Sequence, residues 1–222
     1  MKNKILLTGS TGFVGSVIVD QFKSSDSQLC PVVRYIKDDS PQNAIEVGDI
    51  DGNTDYSRAL SGVDVVIHVA ARAHIMNDES SNPLAEYRKV NVAGSENLAR
   101  QAAAAGVKRF VFISSVKVSG ESTTAKLPYS ELMKPAPEDA YGQSKYEAEE
   151  VLKQVSADTG MEVVIIRPPL VYGAGVKANF LSLLKFSSLS LPLPFGAVNN
   201  KRSLVYVENL VDFMIRCIDH PN

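Results

Sequence analysis

The chain has 222 residues, 45% of them hydrophobic and 22% charged, a composition typical of a globular protein with one large core. A formal net charge of -2, without a cluster of Lys and Arg residues, argues against a nucleic-acid partner. The apolar run at residues 5–7 is too short for a signal peptide or a membrane span, so we expect a cytoplasmic protein with no membrane contact. The two cysteines, Cys30 and Cys217, are expected to be free thiols.

Short apolar runs alternate with longer amphipathic segments along the chain. In chain order, we predict strands at residues 5–7, 29–33, 64–69, 109–113 and 162–166. The helical segments are residues 13–22, 83–105, 139–157 and 208–218. Several strand segments lack polar alternation, as expected for strands that helices cover on both faces. The pattern therefore predicts an α/β fold with a doubly wound parallel sheet, the Rossmann architecture.

The pattern changes after residues 167–169, where loops containing Gly and Pro, among them residues 191–194, lead to the last helical segment. We therefore predict a Rossmann domain at residues 1–170. Residues 171–222 are predicted to form a partial substrate-binding lobe that returns to the core. Because no closing strand or further lobe element follows in the sequence, this lobe is expected to be truncated.

A glycine-containing turn, Thr-Gly-Ser-Thr-Gly-Phe-Val-Gly at residues 8–15, follows the first strand and opens the first helix. In such a turn one glycine permits the tight bend, a second lets backbone N–H groups approach a pyrophosphate, and a third allows close packing of helix on strand. Its Gly-x-x-Gly-x-x-Gly spacing is one residue longer than the common fingerprint, and simple loop glycines are the alternative. The turn residues that we expect to contact a dinucleotide are Gly9, Thr11, Gly12, Phe13, Val14 and Gly15.

The sequence leaves two nicotinamide cofactors open. Arg34 stands near the end of the second predicted strand, where an acidic residue would bind the adenosine ribose, and its guanidinium suits the 2′-phosphate of NADP. If Arg34 is instead an ordinary surface charge, Asp38 or Asp39 could reach the ribose of NAD. Asp49 and Ile50 could hold the edge and the face of the adenine, although an Asp that closes a strand is also an ordinary turn residue. The predicted cofactor is therefore NAD or NADP.

Three polar residues form the candidate catalytic set. Tyr141 and Lys145 are four residues apart near the start of a helix, so that the phenol and the ammonium project from one face. Ser115 follows the strand at residues 109–113, at the carboxyl edge of the sheet, where open α/β folds bind their ligands. The Tyr–Lys spacing alone is weak, and Ser115 alone could cap the strand end, so the set gains weight from the glycine turn.

Residues 112–120 (FISSVKVSG), 141–145 (YGQSK) and 167–173 (RPPLVYG) resemble motifs of the extended short-chain dehydrogenases/reductases, specifically the nucleotide-sugar epimerase/dehydratase family. The resemblance extends from residue 5 to about residue 210. It selects Ser115 over Ser114 as the catalytic serine. The cofactor contacts that it implies are Ala70, Ala71, Asn91, Tyr141, Lys145 and Pro168. The substrate contacts that it implies are Ser115, Asn179, Phe180 and Arg202, the last facing the diphosphate.

The resemblance implies a role for each catalytic residue. Tyr141 exchanges a proton with O4 of the sugar, and Ser115 hydrogen-bonds to that oxygen. Lys145 holds the ribose and, together with the nicotinamide cation, is expected to lower the pKa of Tyr141. The expected activity is 4-epimerisation of a UDP-sugar through transient oxidation at C4.

Two other activities remain open. A reductase that uses NADPH on a UDP-4-keto-6-deoxy amino sugar, in surface-polysaccharide synthesis, is favoured by Arg34. It is also implied by residues 114–118 and 176–180, which resemble a bacterial surface-polysaccharide subgroup that includes such reductases. A cofactor sensor without catalysis is disfavoured, because such proteins commonly lack the pair formed by Tyr141 and Lys145. Dehydration is disfavoured as well, since the 4,6-dehydratases usually have Asp-Glu where this chain has Val116 and Lys117.

Neither a metal nor a partner protein is strongly indicated. Among the histidines, His68 lies in a strand segment, His74 in a loop and His220 at the tail, and no pair has metal-ligand spacing. We therefore expect packing or surface roles for them and no metal. The family resemblance implies a possible homodimer through the helices at residues 83–105 and 139–157, which could equally serve only to cover the sheet.

Overall fold

The computed structural model describes residues 3–73, 80, 82–123, 128–176, 178–188 and 201–221, without the side chains of residues 178, 179 and 183. Its strands are β1 (Lys4–Thr8), β2 (Gln28–Val33), β3 (Ile45–Glu46), β4 (Val65–His68), β5 (Arg109–Ile113), β6 (Glu162–Ile166), β7 (Leu170–Tyr172) and β8 (Leu204–Tyr206). Its α-helices are α1 (Phe13–Phe22), α2 (Ser57–Leu60), α3 (Pro83–Tyr87), α4 (Gly94–Ala104), α5 (Ala140–Thr159), α6 (Ala178–Ser188) and α7 (Val207–Asp219). A π-helix (Arg88–Ala93) joins α3 to α4, and a 3-10 helix (Val116–Ser119) follows β5.

The central sheet has six parallel strands in the order β3-β2-β1-β4-β5-β6. The five strands predicted from apolar runs are confirmed, each boundary to within one residue. In the middle of the sheet, Leu6 pairs with Cys30 on β2 and with Val66 on β4. The chain runs outward from β1 in both directions, so a crevice forms between the carboxyl ends of β1 and β4, where the strand order reverses.

Apolar side chains cover both faces of the sheet, which confirms the doubly wound architecture. On one face, β-strand residues such as Leu6 and Phe110 pack against α2, α4 and α5. On the other face, their sequence neighbours, such as Ile5 and Val111, pack against α1 and α7. Alternate residues of each strand thus enter different cores, which explains why the strand segments are apolar without alternation.

The predicted helices at residues 13–22, 139–157 and 208–218 are confirmed as α1, α5 and α7. The predicted helical segment at residues 83–105 is confirmed as a continuous run of α3, the π-helix and α4, although the π-helix within it was not predicted. This wider turn contains Asn91, whose side chain bonds to Arg72 and Ser144 outside the helix. The hydroxyl of Ser95 donates to the Asn91 carbonyl at 2.7 Å. The Ser95 hydroxyl thus gives the Asn91 carbonyl a partner that the backbone N–H of residue 95 would supply in a regular α-helix.

The region after residue 169 is more regular than the sequence predicts. The loops expected there are partly replaced by α6 and by a two-stranded parallel sheet in which β7 pairs with β8. Helix α7 returns to the central sheet, and Leu210 and Met214 join the core beside α1. Residues 191–194 lie outside the described residues, and the division at residue 170 stays a prediction. No helix in the described ranges is long and apolar enough to cross a membrane.

Candidate active site

The glycine turn lies at the point where the strand order reverses. Gly9 has a φ of +73°, and a Cβ there would lie 2.7 Å from the backbone nitrogen of Ala70, which follows β4. That nitrogen donates to the hydroxyl of Thr8 at 3.1 Å. The carboxyl ends of β1 and β4 are therefore joined so closely that only glycine fits at position 9.

The first turn of α1 fits the pyrophosphate of a dinucleotide. Gly12 is the N-cap residue, has extended backbone geometry and has no side chain that could cap the helix. A Cβ on Gly15 would lie 2.0 Å from the carbonyl oxygen of Gly9, so α1 packs directly on the turn. The N–H groups of residues 13–15 have no partner within the helix and face the space before its N-terminus. Thr11 is exposed at this opening, and Phe13 and Val14 are partly buried.

The residues predicted around the adenosine follow β2 and β3, the two strands on the other side of β1 from β4. Arg34 follows β2 directly and is exposed, while its carbonyl accepts a hydrogen bond from Gly48 at 3.0 Å. Asp49 is also exposed. Ile50 is partly buried, and its Cγ2 lies 2.7 Å from the position of a Cβ on Gly94, at the start of α4. Contacts of these residues with the cofactor stay predictions.

Asn91 is buried and bonds to protein atoms. Its Nδ2 donates to the Arg72 carbonyl and to the Ser144 hydroxyl, both at 3.0 Å, and its Oδ1 accepts from the Arg72 nitrogen at 2.8 Å. Both amide hydrogens are thus in use. This geometry favours a positioning role over the predicted direct contact, because Asn91 links the segment that contains Ala70 and Ala71 to helix α5.

Ser115 is the N-cap residue of the 3-10 helix, and its Oγ accepts from the Lys117 nitrogen at 3.2 Å. The next residue, Val116, donates to the carbonyl of Pro168 at 3.0 Å, which ties this turn to the end of β6. Ser114 points the opposite way, and its hydroxyl donates to the buried carboxylate of Glu149. The structure therefore gives only Ser115 a place beside Tyr141.

Tyr141 lies in the first turn of α5, which Asp139 caps by accepting from the Gly142 nitrogen at 2.6 Å. Its ring meets the Tyr87 ring edge-on, with the centroids 6.1 Å apart. Burial raises the pKa of Tyr141 to about 12, and the Asp139 carboxylate adds to this increase. The Lys117 ammonium and a hydrogen bond with Ser115 act in the opposite direction and lower the pKa.

The expected effect of Lys145 on Tyr141 stays a prediction. Lys145 is 2% exposed, and its ammonium donates to the Ile113 carbonyl at 2.6 Å and lies 4.3 Å from the centroid of the Phe112 ring. Burial lowers its pKa to about 7, which the charge of Glu149 partly opposes. A lysine with this pKa is protonated for only part of the time at neutral pH. The Lys117 ammonium also lowers the pKa of Tyr141.

A buried ion pair behind the catalytic residues was missed in the sequence. The Arg167 guanidinium donates to both carboxylate oxygens of Glu149, which is fully buried one helical turn after Lys145. The sequence held a signal for it, because Glu149 interrupts the apolar positions by which α5 packs on the sheet. The pair joins α5 to the end of β6 directly beneath Ser114.

The residues predicted to bind the sugar nucleotide lie in the region after residue 169. The Phe180 ring on α6 packs against the Tyr172 ring, with the centroids 5.6 Å apart. Arg202 is exposed shortly before β8. The side chain of Asn179 lies outside the described part of the chain. Substrate contacts of these three residues stay predictions.

The described histidines have packing and surface positions. His68 is buried in β4, with its Nδ1 2.6 Å from the Thr8 hydroxyl and its Nε2 2.9 Å from the Ser95 hydroxyl. Burial, together with the charge of Lys145, lowers its pKa to about 3, so the ring is neutral. His220 is exposed, and His74 lies outside the described residues. Within the described ranges, no group of His, Cys, Asp and Glu side chains could hold a metal ion, and Cys30 and Cys217 are free thiols.

Comparisons with known proteins agree with this geometry. The chain is 52% identical over its whole length to a UDP-glucose 4-epimerase of Vibrio cholerae, of which it covers 68%. It is 31% identical to an N-acetyl-alpha-D-glucosaminyl-diphospho-ditrans,octacis-undecaprenol 4-epimerase of Escherichia coli O157:H7 over 96% of the chain, and it spans 62% of that protein. The solved structure of MoeE5 in complex with UDP-glucose and NAD superposes with a TM-score of 0.80 at 25% identity, covering 99% of this chain and 73% of MoeE5.

The family model described as the NAD dependent epimerase/dehydratase family matches residues 5–222. The match includes the glycine turn, both catalytic segments and the region after residue 169, so it confirms the resemblance found in the sequence. The chain therefore belongs to the NAD-dependent epimerase/dehydratase family.

Proposed function

We propose that the protein is an NAD-dependent 4-epimerase of a UDP-sugar, with UDP-glucose and UDP-galactose as the first pair to test. The proposal rests on one observation, the position of Ser115, Tyr141 and Lys145 at the carboxyl edge of the sheet, in a fold whose glycine turn fits a dinucleotide. The name of the 52% identical Vibrio relative supports the choice of sugar.

The chain's own residues would hold the cofactor at both ends of the crevice. The N–H groups at the start of α1 would bind the pyrophosphate, and Lys145 would bind the nicotinamide ribose. Asn91 would keep the strand end at Ala70 and Ala71 in register with α5. When bound, the nicotinamide supplies the hydride acceptor and donor that epimerisation at C4 requires.

Tyr141 would remove the proton from the C4 hydroxyl during oxidation and return a proton to O4 during reduction. Ser115 would donate a hydrogen bond to the same oxygen and keep it next to the phenol. Since the pKa of Tyr141 is about 12 in the protein alone, the phenolate needs positive charge in the site. Lys117 supplies part of that charge.

The second candidate, an NADPH-dependent reductase of a UDP-4-keto sugar, is favoured by Arg34, which is exposed directly after β2. Replacement of Arg34 by Ala separates the two candidates. In the reductase, the variant would lose about tenfold or more of its affinity for NADPH and little for NADH, because only NADPH has the 2′-phosphate. In the epimerase, the affinity for neither cofactor would change by that amount.

The deciding experiment begins with the freshly purified 222-residue chain. The protein is denatured, and any released nicotinamide nucleotide is identified by mass spectrometry. A second sample is incubated with UDP-glucose without added cofactor, and formation of UDP-galactose is followed by NMR. Tightly held NAD and formation of the 4-epimer would support the proposal. Protein that is purified without nucleotide, binds NADPH reversibly and reduces a 4-keto sugar would support the second candidate. Failure to bind either nucleotide would refute both candidates.

The nucleotide-sugar partner is part of this proposal. The homodimer, the cytoplasmic location and the link to surface-polysaccharide synthesis stay predictions. Since the chain spans 68% of the Vibrio relative and 62% of the Escherichia coli relative, the activity of those whole proteins is likewise a proposal for this chain.

A further inference from the structure

Lys117 contacts both elements that carry the catalytic hydroxyls. Its backbone N–H donates to the Oγ of Ser115 at 3.2 Å. Its ammonium forms ion pairs with the carboxylate of Asp139, two residues before Tyr141, and with that of Glu121 at 2.8 Å. The Lys117 side chain is 24% exposed, so these pairs are partly shielded from solvent.

The junction between the 3-10 helix and α5 is tightly packed. A Cβ on Gly142 would lie 2.9 Å from the Lys117 carbonyl oxygen and 3.2 Å from Oδ1 of Asp139. Asp139 uses that same oxygen to cap α5 and its other carboxylate oxygen to bind Lys117. The Asp139 carboxylate therefore fixes the position of the Lys117 ammonium relative to the helix turn that carries Tyr141.

Two opposite charges of this junction act on the phenol. The Asp139 carboxylate disfavours the phenolate of Tyr141, and the Lys117 ammonium favours it. Tyr87, packed edge-on against the ring, also disfavours the phenolate, and the hydrogen bond with Ser115 favours it. Of these groups, only Lys117 carries a positive charge.

We propose that Lys117 is a positioning residue for the Ser115–Tyr141 pair, which it holds together through its backbone N–H on Ser115 and its ammonium on Asp139. The inference rests on the proposed function, because it assigns Tyr141 the role of proton acceptor.

Separate replacement of Lys117 and of Asp139 distinguishes an effect of their charges on Tyr141 from a purely structural effect of the ion pair. Lys117→Met removes the cation and leaves Asp139, so the acid limb of kcat/KM should move to higher pH by about one unit. Asp139→Asn removes the carboxylate, keeps an oxygen that can cap α5, and should move the limb to lower pH by about the same amount. A purely structural ion pair predicts that both variants change in the same direction. Lys117→Arg keeps the charge and should stay within roughly half a unit of the original protein.

A second readout does not require turnover. The protein is labelled with [13Cζ]tyrosine, and the Tyr141 signal is assigned by its absence from Tyr141→Phe. In an alkaline titration, the Tyr141 midpoint should be highest in Lys117→Met, intermediate in the original protein and lowest in Asp139→Asn. Lys153→Met is the matched control, because Lys153 forms an exposed ion pair with Glu150 on the same helix and should change neither readout.

Opposite shifts for the two variants would establish the inference. Equal shifts, or losses of activity without a change in the pH profile, would reduce Lys117 to a structural ion pair and overturn it. If the original protein epimerises no UDP-sugar, the proposed function fails, but the order of the Tyr141 midpoints still tests Lys117. If turnover is present and neither readout responds to Lys117→Met, only the inference on Lys117 fails.

Discussion

The ammonium of Lys145 donates a hydrogen bond to the carbonyl of Ile113, the last residue of β5, at 2.6 Å. This contact joins the first turns of α5 to the strand end from which Ser115 follows two residues later. It also places a cation in a site with almost no access to water, where its charged form is destabilised.

Replacement of Lys145 by Met should therefore change how stability depends on pH. The pKa of Lys145 is lowered from 10.5 to about 7, so between these values the unfolded chain binds the additional proton, and this group's contribution to stability rises with pH. The stability of Lys145→Met relative to the original protein should be highest below about pH 7. This difference in stability should shrink as the pH rises toward 10.5.

Urea unfolding of the original protein and of Lys145→Met, at about pH 6 and about pH 9, tests this expectation. Lys153→Met serves as the control, because Lys153 is exposed and its replacement should alter stability equally at both pH values. A difference between Lys145→Met and the original protein that is the same at both values would contradict the lowered pKa. Activity should be lost in Lys145→Met at either pH.

Tyr141→Phe removes the group proposed to move the proton at O4. We expect kcat to fall by roughly 10²–10⁴-fold, the usual contribution of a general acid or base. The free energy of unfolding should change by only about 1 kcal/mol, since one hydrogen bond with Ser115 is lost and the ring remains packed against Tyr87. Tyr146→Phe, on the same helix, is the control. Turnover in Tyr141→Phe comparable to that in the control would rule out the phenol as the catalytic group.

Gly9→Ala should disrupt the dinucleotide site. Both Gly9, with a φ of +73°, and Gly106, with a φ of +82°, disfavour a side chain, so the backbone strain alone should cost about 1–2 kcal/mol of stability in either variant. A Cβ at Gly106 meets nothing within 4 Å, whereas at Gly9 it meets the backbone of Ala70 at 2.7 Å. We expect Gly9→Ala to lose about tenfold or more of its affinity for NAD and Gly106→Ala to lose none. Fluorescence titration with NAD measures both affinities. Equal NAD affinities of the two variants would show that the cofactor does not bind at the glycine turn.

Glu149→Gln should be more destabilising than the same change at the neighbouring position. Glu149 is fully buried and binds both Arg167 and Ser114, so loss of its charge leaves a guanidinium without its counterion, at a cost of about 3 kcal/mol. Glu150 is exposed and pairs with Lys153, and Glu150→Gln should change stability by about 0.5 kcal/mol or less. Chemical denaturation of both variants at neutral pH provides the comparison. A similar small loss in each would show that the buried pair contributes little.

The strands and the candidate site could be predicted because their signals are local. Apolar runs at residues 5–7 and 109–113 are followed directly by the glycine turn and by Ser115, and parallel strands bring such carboxyl ends to one edge of the sheet. The spacing of Tyr141 and Lys145 requires only the geometry of one helix. Fold class, family and candidate residues thus follow from patterns within a few residues of each other.

The π-helix within the helical segment at residues 83–105 could not be predicted in this way. It depends on Asn91, whose amide bonds to Arg72 and to Ser144, and those partners come from other parts of the chain. The pairing of β7 with β8 has the same origin, because three-residue strands carry little periodicity of their own and form through the partner strand.

The sequence by itself determined which groups could act, namely Ser115, Tyr141 and Lys145, because residue type and spacing are properties of the chain. Only the tertiary structure decided their protonation. Burial raises the pKa of Tyr141 to about 12 and lowers that of Lys145 to about 7, and the ammonium of Lys117 lowers the pKa of the phenol in part. The physical reason is that desolvation and charge proximity depend on groups from distant segments, which meet only when β5, α5 and the 3-10 helix pack together.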